Sequence, residues 1–286
     1  MNLFSPHEVV RNYIDLGVEK TRYPAPKMYL LGVMAGSLLA FGGVASNTAV
    51  HSLENPGLIQ VISGFLWPIG LSMVMLLGGE LFLGNTMMVT AVVARRASWP
   101  AVLKNWLLVY LGNLTGGLLI SVLVVFSGQL NLSNGRLALY TIQLAHSKTI
   151  LSFGATTILG ILCNILVCTA VLCSLSAKDT PGRIMGASIP VVFFIISGFE
   201  NAVANMYLIP VGILALNQPQ YAPLAVQAGI FPSHLNWNIY LLRNLLPVTI
   251  GNLIGGVGYG LLLWFCHVRL TPKEEQEPEP MSKTLP

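Results

Sequence analysis

The stretch that decides the fold is "GFENAVANMYLIP", residues 198–210, because it places a glutamate and two asparagines inside a hydrophobic segment. Glu200 is the only Asp, Glu, Lys or Arg between Arg183 and Arg243. A chain that keeps polar groups in such a setting needs them for something other than covering its surface. Ionisable residues inside apolar segments mark functional sites in membrane proteins.

The composition indicates an integral membrane protein. Hydrophobic residues make up 54% of the 286-residue chain and charged residues only 9%, with a mean hydropathy of +0.69. Soluble domains carry about 25% charged residues, which cover their surface. A soluble protein with a large core is therefore disfavoured.

Six apolar runs divide the chain. A helix needs about 20 residues to cross the hydrocarbon, and membrane β-strands would alternate in polarity, so we predict an all-α protein with six crossings. The runs are residues 28–50, 58–94, 105–125, 150–177, 184–217 and 245–268.

The second and fifth runs are too long for one straight helix. As continuous helices they would span roughly 50–55 Å, against about 30 Å of hydrocarbon. Each carries one acid, Glu80 or Glu200, and each contains proline, Pro68 in the second run and Pro190 and Pro210 in the fifth. We predict a broken helix in each run, with irregular backbone at the acid that lines a cavity.

The two halves of the chain share an ordered set of motifs. An acid is followed five residues later by asparagine, and another asparagine precedes a glycine-rich motif, "GNLTGG" or "GNLIGG", by seven residues. The matching residues are Glu80, Asn85 and Asn105 in the first half and Glu200, Asn205 and Asn244 in the second. This order predicts a duplicated three-helix unit, inserted in opposite orientations, as an inverted 3+3 repeat.

The basic residues predict the orientation. With both termini in the cytoplasm, twelve of the fifteen Lys and Arg residues lie on the inner side of the plasma membrane. The predicted parts are a cytoplasmic amphipathic segment over residues 1–27, a channel domain over 28–268 and a disordered cytoplasmic tail over 269–286. The first segment begins with the capping box "SPHE", and its helix is expected either on the membrane surface or packed against the protein.

Several other chemistries are disfavoured. The four cysteines and five histidines show no metal-ligand spacing, and no nucleophile has a base at a plausible depth. The net charge of +4 reflects the topology and does not indicate nucleic acid. We therefore predict no metal, no cofactor, no nucleic-acid partner and no enzymatic activity.

Five motifs together resemble the formate/nitrite transporter family. They are "GGELFLGNTM", "NWLLVYLGNLTGG", "LGILCNILVC", "SGFENAVANMYLIP" and "NLLPVTIGNLIGG", in this order. The resemblance covers nearly the whole chain. It implies a water-channel-like protomer of six helices, two of them broken, in a homopentamer in which each protomer has its own pore for small monovalent anions.

The resemblance also implies which residues narrow the pore. The apolar constrictions of the family are similar to Leu71, Phe82 and Phe194 in this sequence. Leu83 stands where many members have threonine, in the loop of the second, broken helix.

The resemblance further implies the polar pathway residues. Lys148 resembles an outer-side lysine that attracts anions, Asn164 an asparagine lining the fourth span, and Glu200 the acid before the central pore residue. Asn201 stands where the family usually has histidine. An amide donates hydrogen bonds but cannot lend a proton, which predicts a weaker pH dependence of transport.

The function predicted on this basis is a channel or facilitator for formate and related small monovalent anions in the lipid bilayer. The alternatives are another small weak acid (nitrite, hydrosulfide or lactate), a neutral-solute pore, and a membrane enzyme. Glu200 is expected to accept hydrogen bonds from backbone N–H groups freed at the break, or to be protonated by burial. A purely structural role for Glu200, and equally for Glu80, stays open.

Overall fold

The structure is a computed structural model that describes residues 3–271. This part of the chain consists of helices joined by short links. Its α-helices are α1 (Pro6–Thr21), α2 (Ala25–Val50), α3 (Pro56–Leu76), α4 (Phe82–Asn85), α5 (Val89–Val93), α6 (Trp99–Phe126), α7 (Arg136–Thr149), α8 (Phe153–Ser176), α9 (Thr180–Ile196), α10 (Ala202–Leu216), α11 (Ala222–Gln227), α12 (Trp237–Ile239) and α13 (Leu246–Trp264). A 3₁₀ turn joins α4 to α5, and π-helical turns flank α13.

The long apolar helices agree with a multi-pass membrane protein. Within the described residues, five helices are long and apolar enough to cross a membrane: α2, α3, α6, α8 and the continuous stretch Trp237–Arg269 that contains α13. Three shorter apolar helical stretches accompany them, at Phe82–Val93, Thr180–Ile196 and Ala202–Leu216. The second and fifth apolar runs of the sequence are thus each divided between two helical stretches.

Glycines end the first helix of each divided run. Gly78 and Gly198 both adopt a φ of +69°, a left-handed backbone that glycine enters without the steric penalty of a Cβ atom. In each case the next amide reaches back to the last turn of the helix: Gly79 N donates to Val74 O at 2.9 Å, and Phe199 N to Phe194 O at 3.0 Å. These bonds have the six-to-one pattern of a Schellman cap.

The prolines do not cause these interruptions. Pro68, Pro190 and Pro210 all lie inside helices α3, α9 and α10. Glycine, which tolerates positive φ, ends the helices instead, next to the acids Glu80 and Glu200.

Two close helix pairs frame the site. α2 packs against α6, where a Cβ atom on Gly36 would overlap the carbonyl oxygen of Asn113. α8 packs against α13, where a Cβ atom on Gly251 would overlap the carbonyl oxygen of Thr157. The two glycine-rich motifs therefore bring backbones together, as small residues do between membrane helices.

The N-terminal helix α1 buries its apolar face within the protein. Ser5 and Glu8 form the predicted capping box, and Val9, Tyr13 and Ile14 are buried. The Tyr13 hydroxyl donates to Gly84 O at 2.6 Å. The apolar face of this helix therefore packs against the rest of the protein. The predicted disordered tail lies almost wholly outside the described residues.

Candidate transport pathway

Glu200 lies in the non-helical link between α9 and α10 and is almost fully buried, with 3% exposure. Lys148 Nζ, from the last turn of α7, donates to Glu200 Oε1 at 2.9 Å. Asn205 Nδ2 donates to Glu200 Oε2 at 2.6 Å, and Asn244 Nδ2 approaches the same oxygen at 3.4 Å. The carboxylate is therefore held by one ammonium group and side-chain amides.

Glu80 has the same arrangement in the first half. It is also 3% exposed, and Lys20 Nζ from the last turn of α1 lies 3.1 Å from Glu80 Oε1. Asn85 Nδ2 donates to Glu80 Oε2 at 2.6 Å and to Asn105 Oδ1 at 2.9 Å. Lys20 also donates to Asn85 Oδ1 at 2.8 Å. The sequence analysis did not identify Lys20 as part of the site.

Two further asparagines bind the backbone freed by the interruptions. Asn252 Nδ2 donates to Gly160 O at 2.7 Å and to Glu200 O at 3.0 Å, while its Oδ1 accepts from Ala202 N at 2.9 Å. Asn113 makes the matching bonds in the first half, to the carbonyl oxygens of Gly32 and Glu80 and from the amide of Phe82. The freed N–H groups at the start of α4 and α10 are thus satisfied by amide oxygens. Glu200 was expected to accept hydrogen bonds from these backbone groups, but its carboxylate accepts from side chains instead.

Asn201 begins helix α10. Its Oδ1 accepts a hydrogen bond from Ala204 N at 3.0 Å, the usual geometry of an N-cap residue. Its Nδ2 donates no hydrogen bond to any residue that the structure describes, and Asn201 lines two of the cavities defined next. Its oxygen is therefore occupied by the backbone and its amino group is left for the cavity.

Three cavities follow one another through the protein. The Lys148 cavity, of about 210 Å³, is lined by Lys148, Asn201 and Phe194 among others. The Lys20 cavity, of about 220 Å³, is lined by Lys20, Glu80 and Leu71 among others. Between them lies the central cavity of about 10 Å³, which shares lining residues with both. Its lining is Leu39, Trp67, Leu71, Leu81, Val167, Val191, Phe194 and Asn201.

The residues expected to narrow the pore are placed differently from one another. Leu71 and Phe194 line the central cavity. Phe82 instead lines a separate apolar pocket and packs edge-on against Tyr110, with ring centroids 5.0 Å apart. Leu83 is fully buried and lines none of these cavities. Leu81, which was not predicted from the sequence, lines the central cavity where Phe82 was expected.

Asn164 is fully buried among backbone groups. Its Nδ2 donates to Asn252 O at 2.6 Å and to Thr86 Oγ1 at 3.0 Å, and approaches Leu83 O at 3.3 Å. Asn164 lines none of the three cavities. Its amide therefore connects α8 to α4, to the 3₁₀ turn that follows α4, and to α13.

A histidine pair lies near the end of α7, outside the membrane-spanning helices. The rings of His146 and His234 have centroids 6.0 Å apart. Burial, and secondarily His234, lowers the pKa of His146 below its usual value. Neither histidine lines the Lys148 cavity.

Comparisons with known proteins identify the family. The sequence profile described as Formate/nitrite transporter matches residues 7–265. The chain is 36% identical over 235 residues to the formate channel FocA of Haemophilus influenzae, covering 80% of this chain and 82% of that protein. It is 34% identical over 274 residues to the formate channel FocA of Escherichia coli, covering 94% and 96%.

Solved structures show the same fold. A pentameric formate channel with formate bound superposes with a TM-score of 0.75 at 28% identity, covering 86% of this chain and 98% of that one. An ion channel of the FNT family superposes with a TM-score of 0.78 at 25% identity, covering 93% and 99%. The protein described above, with its paired interruptions and lysine-bearing cavities, belongs to the formate/nitrite transporter family.

Proposed function

We propose that the chain is a channel or facilitator for formate and related small monovalent anions, with one pathway in each protomer. The observation that carries the proposal is the series of two lysine-bearing cavities joined by a narrow central cavity. Relatives named as formate channels support formate as the anion.

Electrostatics favours an anion over a cation in this pathway. Lys148 and Lys20 present an ammonium group in each cavity, and each is paired with a buried carboxylate that lies deeper in the protein, at 5% or less side-chain exposure against 17% and 13% for the lysines. Lys148 lines its cavity and Glu200 does not, so an anion there meets the cation, whereas in the Lys20 cavity the less exposed Glu80 lies beside the lysine. Positive charge at a mouth raises the local anion concentration and the entry rate.

The central cavity accounts for selection by size. Apart from Asn201 and the indole N–H of Trp67, its lining is apolar, and its volume is about 10 Å³. A bare anion in an apolar constriction costs several kcal/mol or more, so a small ion that is neutralised or offered hydrogen-bond donors passes best. We propose that Leu71, Phe194 and Leu81 form this constriction and that Asn201 supplies the donor.

The proposed topology is six crossings in an inverted 3+3 repeat, with the second and fifth interrupted. The matched sets around Glu80 and Glu200 support it, because each contains a lysine, a capping glycine and three asparagines in equivalent roles. The excess of basic residues supports cytoplasmic termini in the plasma membrane. In this orientation the Lys148 cavity faces outward and the Lys20 cavity inward.

A homopentamer is the proposed assembly. Its support is the pentameric formate channel that the chain resembles in structure. Detergent-corrected mass measurement of the purified protein tests it: a pentamer is expected, and a monomer as the sole species contradicts it.

Flux measurements test the proposed function. Proteoliposomes containing the protein are expected to take up labelled formate faster than empty liposomes, while uptake of glycerol stays at the empty-liposome level. Lys148→Glu is expected to slow formate entry severalfold at low salt and less at high salt, because screening weakens the field of the mouth. Equal rates for formate and glycerol, or no formate uptake, contradict the proposal.

A further inference from the structure

The side-chain amide of Asn47, on the lining of the Lys148 cavity, has a donor without an acceptor. Asn47 lies near the end of α2, has 4% exposure and lines this cavity together with Lys148 and Asn201. Its Nδ2 is buried and has no hydrogen-bond partner among residues 3–271. Asn47 is not part of the networks around Glu80 and Glu200.

An unpaired buried amide carries a cost. A buried donor without an acceptor costs about 1–3 kcal/mol, and buried polar groups in native proteins nearly always have a partner. The partner of Asn47 Nδ2 must therefore come from the contents of the cavity. Lys148 and Asn201 are donors on the same lining, so an oxygen of an anion can accept from all three, whereas water can join Asn47 Nδ2 to Asn205 Oδ1, a buried acceptor without a partner on that lining.

The Lys20 cavity has no amide at the position that matches Asn47. The sequence distance between Lys20 and Lys148 is the same as that between Gly32 and Gly160, and the same distance takes Asn47 to Leu175. Leu175 lines the Lys20 cavity, as Asn47 lines the Lys148 cavity. The duplicated framework is therefore chemically unequal at this position, with a donor on one side and a hydrocarbon side chain on the other.

We propose that Asn47 is a substrate-binding residue of the Lys148 cavity. Its Nδ2 donates to an oxygen of a small oxyanion, a carboxylate or nitrite, that is also attracted by Lys148. The Lys148 cavity thereby holds the anion before it enters the central cavity, whereas the Lys20 cavity relies on its lysine. This inference rests on the proposed function and adds a binding residue to it.

Concentration-dependent influx of labelled formate into proteoliposomes tests the proposal. Asn47→Leu, which copies the residue at the matching position, is expected to raise the half-saturating formate concentration about tenfold without lowering the maximal rate, because a hydrogen bond to a charged acceptor is lost. Asn47→Ser, which keeps a shorter donor, is expected to give an intermediate value. Asn47→Asp, nearly the same size as asparagine, is expected to raise the half-saturating concentration most, because it adds a like charge.

The control is Asn238→Leu, the same chemical change at an exposed residue that does not line the cavity. It is expected to behave as the native protein. An unchanged half-saturating concentration in Asn47→Ser and Asn47→Asp overturns the proposal, as does a lower maximal rate at unchanged half-saturation, which indicates a structural role. If Asn47→Leu does not fold, the other two variants decide. Absence of formate flux in the native protein contradicts the proposed function itself, whereas native flux with unaltered half-saturation contradicts only the role of Asn47.

Discussion

Lys20 provides the sharpest test of how the two carboxylates are stabilised. Its ammonium lies 3.1 Å from Glu80 Oε1, and the side chains of Lys20 and Glu80 are 13% and 3% exposed. At an effective dielectric constant of ~20, this separation corresponds to about 5 kcal/mol of attraction, offset by the desolvation of both groups. Replacing Lys20 by methionine removes the attraction and leaves the desolvation of Glu80 in place.

The expected loss is therefore large. Removing one partner of a buried ion pair costs about 3–5 kcal/mol, which for a protein of this size lowers the apparent unfolding temperature by about 5–10 °C. The second substitution Glu80→Gln removes the unpaired charge but keeps an oxygen for Asn85. The double variant is expected to recover at least half of the lost temperature.

Formate flux separates the charge effect from the stability effect. The expected order of rates is native, then the double variant, then Lys20→Met, because only Lys20→Met leaves a net negative charge in the Lys20 cavity. Thermal unfolding in detergent, followed by the fluorescence of the five tryptophans, measures the stability. Lys104→Met, at an exposed lysine, is the control for loss of a positive charge. A double variant as unstable as Lys20→Met, or a Lys20→Met protein as stable as the native one, refutes the reasoning.

Three further predictions follow from the other polar groups. Asn252→Ala leaves three buried backbone groups without their partner, so the apparent unfolding temperature is expected to fall by several degrees, whereas Asn217→Ala, at an exposed residue, changes it little; equal shifts contradict the bridging role. Asn201→His introduces an imidazole that titrates near pH 6–7 at the central cavity, so formate flux measured from pH 5 to 8 is expected to depend more steeply on pH. A native protein that is already as steep contradicts this. The pKa of His146 is lowered from 6.5, so the neutral ring is favoured in the folded protein, and its contribution to stability is lost as pH falls below 6.5. The protection factors of the amides in residues 231–236, which correct for slower intrinsic exchange at lower pH, are expected to fall between pH 7.5 and 5.5 in the native protein and not in His146→Gln; an equal fall in both assigns the effect to another group.

The sequence carried the polar framework because each of its parts recurs. Glu80 with Asn85, and Glu200 with Asn205, each form the hydrogen bond that their five-residue spacing allows across an interrupted helix. Duplication made the pattern visible, because one acid and one asparagine in a single segment have many explanations. The same five-residue spacing in both halves of the chain has few.

The lysine partner of the first acid was missed for a physical reason. Lys148 drew attention as one of few outward basic residues, whereas Lys20 belongs to a basic N-terminal segment in which topology alone explains positive charge. The available signal was register, because the distance from Lys20 to Lys148 equals that from Gly32 to Gly160. α1 and α7 are thus matching helices that each end in a lysine beside a carboxylate.

The constriction residues could not be assigned from the sequence at single-residue precision. Leu81 is the extended N-cap residue of α4 and Phe82 is its first helical residue, and their side chains point to different sides. Leu81 lines the central cavity and Phe82 packs on Tyr110. Which of the two side chains lines the central cavity depends on the backbone that follows Gly78. The positive φ of Gly78 is not predicted by composition or by periodicity.

The matched framework makes its inequalities informative. Asn201 and Leu81 occupy the same place in the two links, directly after Glu200 and Glu80, and both line the central cavity. Asn201 is the only amide in that lining, where Trp67 adds an indole N–H, and neither side chain has a proton to give at physiological pH. An anion that crosses the centre neutral must therefore gain its proton before it reaches the central cavity. An anion that crosses charged has the amino group of Asn201 and the indole N–H of Trp67 as donors on that lining. In neither case does the central constriction of the native protein contribute a titrating side chain to the pH dependence of transport.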